Sequence, residues 1–198
     1  MINLATVELY RSLMGDAKPN VAPEYVASIE ARILSVSAKV EKYLGRAIES
    51  KERTEYFTAK SGAGTKSVAL LAYPVSELAS VSVWGSTLSQ DSSFEIDTEE
   101  GIVSFLVPVY RARDLYQRAI CVTYTGGMAE DTADFISKYP DIATEVCMQV
   151  YFEISRQKNI ADKTTATGAG IVTTHLEYKL QPNLIEVLEQ HIRPKGIV

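Results

Sequence analysis

Four stretches of the chain carry residue types that do chemistry. Gly62-Ala63-Gly64-Thr65-Lys66-Ser67 sets a lysine beside glycines whose backbone amides can reach a phosphate. A phosphate loop needs glycine directly before the lysine and a helix directly after it. Here Thr65 precedes Lys66, and Val68-Ala69-Leu70-Leu71 reads as a strand, so a hairpin turn is expected. Glu95, Asp97, Glu99 and Glu100 are the kind of cluster that a glycosidase or a divalent cation would use. They alternate with apolar residues and run into a turn, which is the pattern of a solvated hairpin. His175 and Glu177 can meet on one strand face, but no third ligand or nucleophile stands at a usable spacing. His191 falls at a helix end, where a histidine suits the terminal carbonyls and the dipole. No catalytic residue, cofactor site or metal site is assigned, and no enzymatic activity is expected.

The most basic and aromatic stretch holds Tyr110, Arg111, Arg113, Tyr116 and Arg118. Arginine with stacking rings suits single-stranded nucleic acid, and it equally suits a protein interface, where Tyr and Arg are enriched. The formal charge of -5, with no run of Lys or Arg elsewhere, argues against an affinity built on phosphate neutralisation. These residues are read as a contact for a partner protein.

With 198 residues, 46% hydrophobic and 23% charged, the chain can bury a core without staples. Cys121 and Cys147 fit neither a CxxC pair nor a disulfide framework and are read as buried free thiols. Residues 1–14 contain no continuous apolar stretch, so neither a signal peptide nor a membrane span is expected, and the compartment is a reducing cytoplasm.

The elements that must position these groups follow from periodicity. Leu4, Val7, Leu9, Tyr10 and Leu13 suggest a helix near residues 2–14 that Gly15 ends. Pro23 suits a first helical turn, and Val26, Ile29, Ile33, Val36, Val40 and Tyr43 form an apolar seam on a helix over 23–44. A second line on that helix, Ala27, Ala31, Leu34 and Ala38, is offset from the seam and is read as a candidate subunit interface, together with Met148 and Phe152. From residue 48 to 125 the period changes to two, with turn signals between the runs, which predicts an antiparallel β region of about five strands.

A helix over 140–158 follows, with Ile142, Ala143, Val146, Cys147, Val150, Tyr151 and Ile154 as a wide apolar face and Glu145, Gln149, Glu153 and Arg156 as a narrow polar stripe. Such a helix belongs at the centre of a bundle or between subunits. A loop over 164–170, an arm over 171–180 and a last helix over 182–191 complete the chain. The tail after it, with Ile192, Arg193, Pro194, Lys195, Ile197 and Val198, combines apolar anchors with two cations and suits a partner's groove. The fold class expected is α+β: a helical bundle (1–46 and 128–198) with an inserted small antiparallel β domain (47–127).

A helix ending in Tyr43-Leu44-Gly45-Arg46 leads into Leu71-Ala72-Tyr73-Pro74-Val75 and Val81-Ser82-Val83. Val122-Thr123-Tyr124-Thr125-Gly126-Gly127 then precedes Pro140-Asp141-Ile142 and an Ala/Val/Tyr-rich helix. In this order the segments resemble the head-to-tail connector (adaptor) proteins of tailed bacteriophages, in their longer form with a β insertion. The resemblance spans residues 29–156. It implies a structural protein of the virion neck that is made in the host cytoplasm. It implies a ring, usually of twelve copies, that sits on the portal, offers a surface to a stopper or tail-completion protein, and lets DNA pass without specific binding. The tail residues would then dock on the portal or an adjacent subunit. Rival readings are another neck or tail-terminator component, which would be mainly β, a cellular scaffold, and an uncharacterised enzyme with a deep polar pocket.

Overall fold

The computed structural model describes residues 2–15, 22–60, 64–111, 119–166 and 179–192. It is an α+β protein whose described residues form five helices and two antiparallel sheets. The chain divides into two compact units, one from Met1–Leu44 with Thr132–Ile192 and the other from Gly45–Asp131.

In the first unit, α1 (Val7–Leu13) starts later than the apolar rhythm suggests, because Thr6 caps it: its Oγ1 accepts from the Leu9 amide at 3.1 Å. Such a cap stabilises a helix by about 1 kcal/mol. The segment before it is tied down by the Leu4 amide, which donates to Ser37 Oγ at 3.0 Å. Helix α2 (Pro23–Leu44) has the expected bounds. Its seam buries Ile29, Ile33, Val36, Val40 and Leu44, each contributing roughly 1.5–3 kcal/mol. Tyr43, expected in the seam, is instead exposed, and Leu44 takes the buried position. Helix α3 (Thr132–Lys138), which apolar patterning did not predict, buries only Phe135.

Helix α4 (Pro140–Ala166) packs against each of the other four described helices, α1, α2, α3 and α5 (Pro182–Glu189). It runs eight residues beyond the expected end at Lys158, since neither proline nor glycine interrupts the backbone before Gly168. Ile142, Ala143, Val146, Cys147 and Val150 are fully buried, and burial pushes the Cys147 thiol up to about 12. Cys121, expected to be buried as well, is half-buried.

The described residues of the second unit form seven strands, where about five were expected. One sheet has the order β1 (Lys51–Phe57), β7 (Ile120–Gly126), β3 (Val75–Val83), β4 (Ser86–Thr87). The other has β2 (Thr65–Ala69), β6 (Ile102–Val109), β5 (Phe94–Asp97). Their inward residues, among them Val68, Phe94, Val103 and Phe105 from one sheet and Val81, Ile120, Val122 and Tyr124 from the other, form one apolar cluster. Edge strand β1 carries charge at Lys51, Glu52, Arg53 and Glu55, on both faces, and no buried residue, which hid it from apolar patterning. Of the expected arm over 171–180, only the last two residues lie within the described residues, and they form no regular element.

Candidate interface surfaces

The phosphate-loop mimic does not make a hairpin. Gly62 and Ala63 lie outside the described residues, but the chain passes here from β1 in one sheet to β2 in the other. Thr65 Oγ1 accepts from the Lys60 amide at 2.8 Å and holds that crossing. Lys66 stands on a strand, with no helix after it. Glu95 and Asp97 are exposed on β5, and Asp97 Oδ1 accepts from the Glu100 amide at 3.0 Å, which braces the turn into β6. Among the described residues no group of three or more His, Cys, Asp or Glu side chains could hold a metal ion, and no helix is long and apolar enough to cross a membrane.

His175 and Glu177 lie outside the described residues. The His191 ring does not serve the carbonyls of α5: its Nε2 stands 3.6 Å from Asp141 Oδ2 at the start of α4, and its ring meets Tyr139 edge-on at 5.4 Å. The corner where α3, α4 and α5 meet therefore outcompetes the local helix end.

Of the segments that carry the family resemblance, residues 71–75 and 122–127 meet, with Arg46, inside the β unit. Gly126 lies so close to the turn before β3 that a Cβ there would stand 2.5 Å from the Ala72 carbonyl oxygen and 3.0 Å from that of Pro74. Gly127, at φ +144, would put a Cβ 2.6 Å from the Ser50 amide. The Tyr73-Pro74 bond is cis, the Arg46 guanidinium lies 4.4 Å over the Tyr73 ring, and the Ser50 amide donates to the Ala129 carbonyl at 2.7 Å. These motifs thus fasten the start and end of the unit to each other; they are architecture rather than a binding surface.

The surfaces left for binding are apolar. Of the six residues read as a subunit interface, Ala27, Ala31, Leu34, Met148 and Phe152 are exposed and Ala38 is half-buried, with Leu34 49% accessible. Ala27, Ala31 and Leu34 line a groove of ≈570 Å³ beside α2, closed by Ala5 and Val7 and rimmed by Glu8 and Glu30. On α4 the expected apolar face is buried except for exposed Tyr151 and half-buried Ile154, and the polar stripe departs from the sequence reading at two positions. Gln149 and Glu153 of the polar stripe are buried, while Met148, Tyr151 and Phe152 face solvent.

Glu153 is held by Lys39 Nζ at 2.9 Å, by Arg32 Nη1 at 3.8 Å and by the Gln149 amide at 3.0 Å. Inward-facing carboxylate and amide thus leave the aromatic residues outside. No spacing rule finds this, because it depends on two cations supplied by another helix.

In the β unit, Tyr110 is exposed and lines a groove of ≈440 Å³ with Trp84, Phe105, Val107 and Pro108. Trp84 sits at a hairpin tip with φ +53, a conformation that a bulky side chain rarely takes. Arg111 is exposed; Arg113, Tyr116 and Arg118 lie outside the described residues, as do Arg193, Pro194, Lys195, Ile197 and Val198. Ile192 is half-buried directly after α5.

A family model for head completion proteins matches residues 3–193. The chain belongs to the head completion protein family. Among solved structures, a chain in the virion of a native gene transfer agent particle matches with a TM-score of 0.58 and 11% identity, over 98% of this chain and 92% of that one. A chain in the neck of an empty gene transfer agent particle, computed with sixfold symmetry, matches with a TM-score of 0.55 and 12% identity, again over 98% and 92%. At such identities the likeness is one of fold. No curated protein matches in sequence. Family membership agrees with the connector resemblance read from the sequence.

Proposed function

We propose that this head completion protein is a structural, non-enzymatic component of the virion neck. Copies of it form a closed ring between the portal and the stopper or tail-completion protein, and the ring extends the DNA channel. The observation that supports this most directly is the pair of apolar surfaces on the helical unit, at Leu34 and at Met148, Tyr151 and Phe152, which the unit's own core does not use. Exposed apolar patches of this kind mark association sites. A net charge of -5 suits a channel through which DNA slides without being gripped. The helix content disfavours a mainly β terminator.

Twelve copies is the stoichiometry that the connector resemblance implies, and native mass spectrometry of isolated necks reads it. The β unit is an insertion in the helical body, and the Tyr110 and Arg111 side of it meets a neighbouring neck protein. The tail, from Ile192 through Arg193, Pro194, Lys195, Ile197 and Val198, docks on the portal or on an adjacent subunit; deleting 192–198 is expected to spare folding and weaken portal binding. The deciding experiment is removal of the gene. DNA-filled heads that leak and fail to join tails are expected, with tail joining restored by added purified protein. Infectious tailed particles formed without the chain would overturn the reading.

A further inference from the structure

The two apolar surfaces of the helical unit differ in the size of their side chains. One is concave. The groove beside α2 is lined by the small exposed side chains of Ala27 and Ala31 and by Leu34, over buried Ala5, Val7 and Ile33, with two carboxylates, Glu8 and Glu30, also lining it. Small residues on one surface leave room for large ones on another, which is how layers interdigitate. The other presents exposed Met148 and Phe152 on α4, with the exposed Arg156 guanidinium 5.8 Å from the Phe152 ring and half-buried Glu145 three residues before Met148. Met, Phe and Arg are the side chains enriched at interface centres.

Neither surface can fill the other within one chain. At 3.6 residues per turn, Ala27, Ala31 and Leu34 lie on the side of α2 roughly opposite its buried seam. Arg32 and Lys39, which hold Glu153 of α4, lie on a different flank of α2 from the groove. On α4 itself, Met148 and Phe152 stand opposite buried Ala143, Val146 and Val150. The face they form points away from α2 altogether.

We infer that the groove of one copy receives the Met148 and Phe152 face of a second copy, with Arg156 of the incoming face set against Glu30 and Glu8 at the rim. Because the two surfaces are unlike, the contact is heterologous: each copy gives one surface and uses the other, and the repeat closes into a ring. The inference rests on the ring reading above and adds which side chains join neighbours.

Two measurements on the full chain test it. The first is self-association by sedimentation. E30R and R156E each place like charges together and are expected to weaken association by more than about tenfold. The E30R/R156E double variant, which restores opposite charges, is expected to recover most of it. All these positions are exposed, so circular dichroism and melting should match wild type.

The second measurement is oxidative cross-linking in assembled particles. A chain carrying both L34C and F152C is expected to give a ladder of multimers. Chains carrying either change alone are expected to remain uncross-linked, and a mixture of the two to stop at dimers. Particles with intact necks but no ladder, or E30R and R156E effects that simply add in the double variant, would overturn the contact and leave the ring reading standing. Dimers from L34C alone would show a self-complementary contact and overturn it as well. A chain that multimerises neither in solution nor in particles would remove the ring reading and this contact with it.

Discussion

The Tyr124 hydroxyl donates to Glu55 Oε1 and accepts from the Ala72 amide at 2.9 Å, so one buried phenol joins β7 to edge strand β1 and to the turn before β3. The Glu55 carboxylate also accepts from the Leu71 amide, at 3.0 and 3.2 Å for its two oxygens. Tyr124→Phe removes the phenol while keeping the ring that packs in the core. It leaves the buried Ala72 amide without its partner, a cost of about 1–3 kcal/mol. Denaturant unfolding should show a lower midpoint with an unchanged slope. A midpoint equal to wild type would mean that water replaces the hydroxyl.

Alkali should act through the same residue and through Tyr10 in the helical unit. Burial comes first in raising both phenols, with Tyr25 adding to the effect at Tyr10 and Glu55 at Tyr124. A raised pKa means that the folded state favours the neutral form. The stabilisation is complete below the unfolded value of about 10 and is lost as pH rises above it. Melting temperature should therefore hold steady to about pH 10 and fall beyond it. Tyr10→Phe and Tyr124→Phe together should flatten that fall; an unchanged slope would place the alkaline loss elsewhere.

Two glycines with different surroundings give a paired test. Gly45 ends α2 at φ +64 with open space where a Cβ would go, so Gly45→Ala should cost only the conformational term, about 1 kcal/mol. Gly126→Ala would put its Cβ 2.5 Å from a backbone oxygen that cannot swing away. That overpacking is expected to cost more than about 3 kcal/mol and to abolish folding of the β unit. Equal effects in thermal melts would contradict the close approach.

Much of this was legible in the chain. The α2 bounds follow from Pro23 and Gly45 and from the seam of Ile29, Ile33, Val36 and Val40 between them. Strands β5 and β7 follow from strict alternation about Phe94 and Val122. The exposure of Ala27, Ala31, Leu34, Met148 and Phe152 follows from their lying off the buried faces of α2 and α4. What escaped depends on partners distant in sequence. Edge strand β1 has no apolar period because charged residues occupy both of its faces, and α3 is too short for one. The burial of Gln149 and Glu153 on α4 could not be read at all, since Glu153 looks solvated until Lys39, 114 positions earlier, is placed 2.9 Å from it.

That burial gives the last prediction. Gln149 does three things at once: its amide nitrogen donates to Glu153 Oε1 at 3.0 Å and to the Lys179 carbonyl at 3.3 Å, and its amide oxygen accepts from the Gln181 backbone at 2.9 Å. Gln181 is the residue from which α5 starts, and its own side chain makes no cap. The side chain of α4 therefore supplies the hold that α5 lacks. Gln149→Ala should cost about 1–3 kcal/mol by leaving buried polar groups unpaired. It should also raise hydrogen exchange at the Gln181 amide, while the β unit's exchange stays unchanged. Glu153→Ala strips Lys39 and Arg32 of their shared carboxylate; because both cations are partly exposed, its cost should fall below the roughly 3–5 kcal/mol of a fully buried broken pair. The two changes share the Gln149–Glu153 bond, so the double variant should lose less than the sum of the singles by about 0.5 kcal/mol or more. Strict additivity in a double-mutant cycle, with no change at the Gln181 amide, would mean that α5 is held by Leu184 and Leu188 in the core alone.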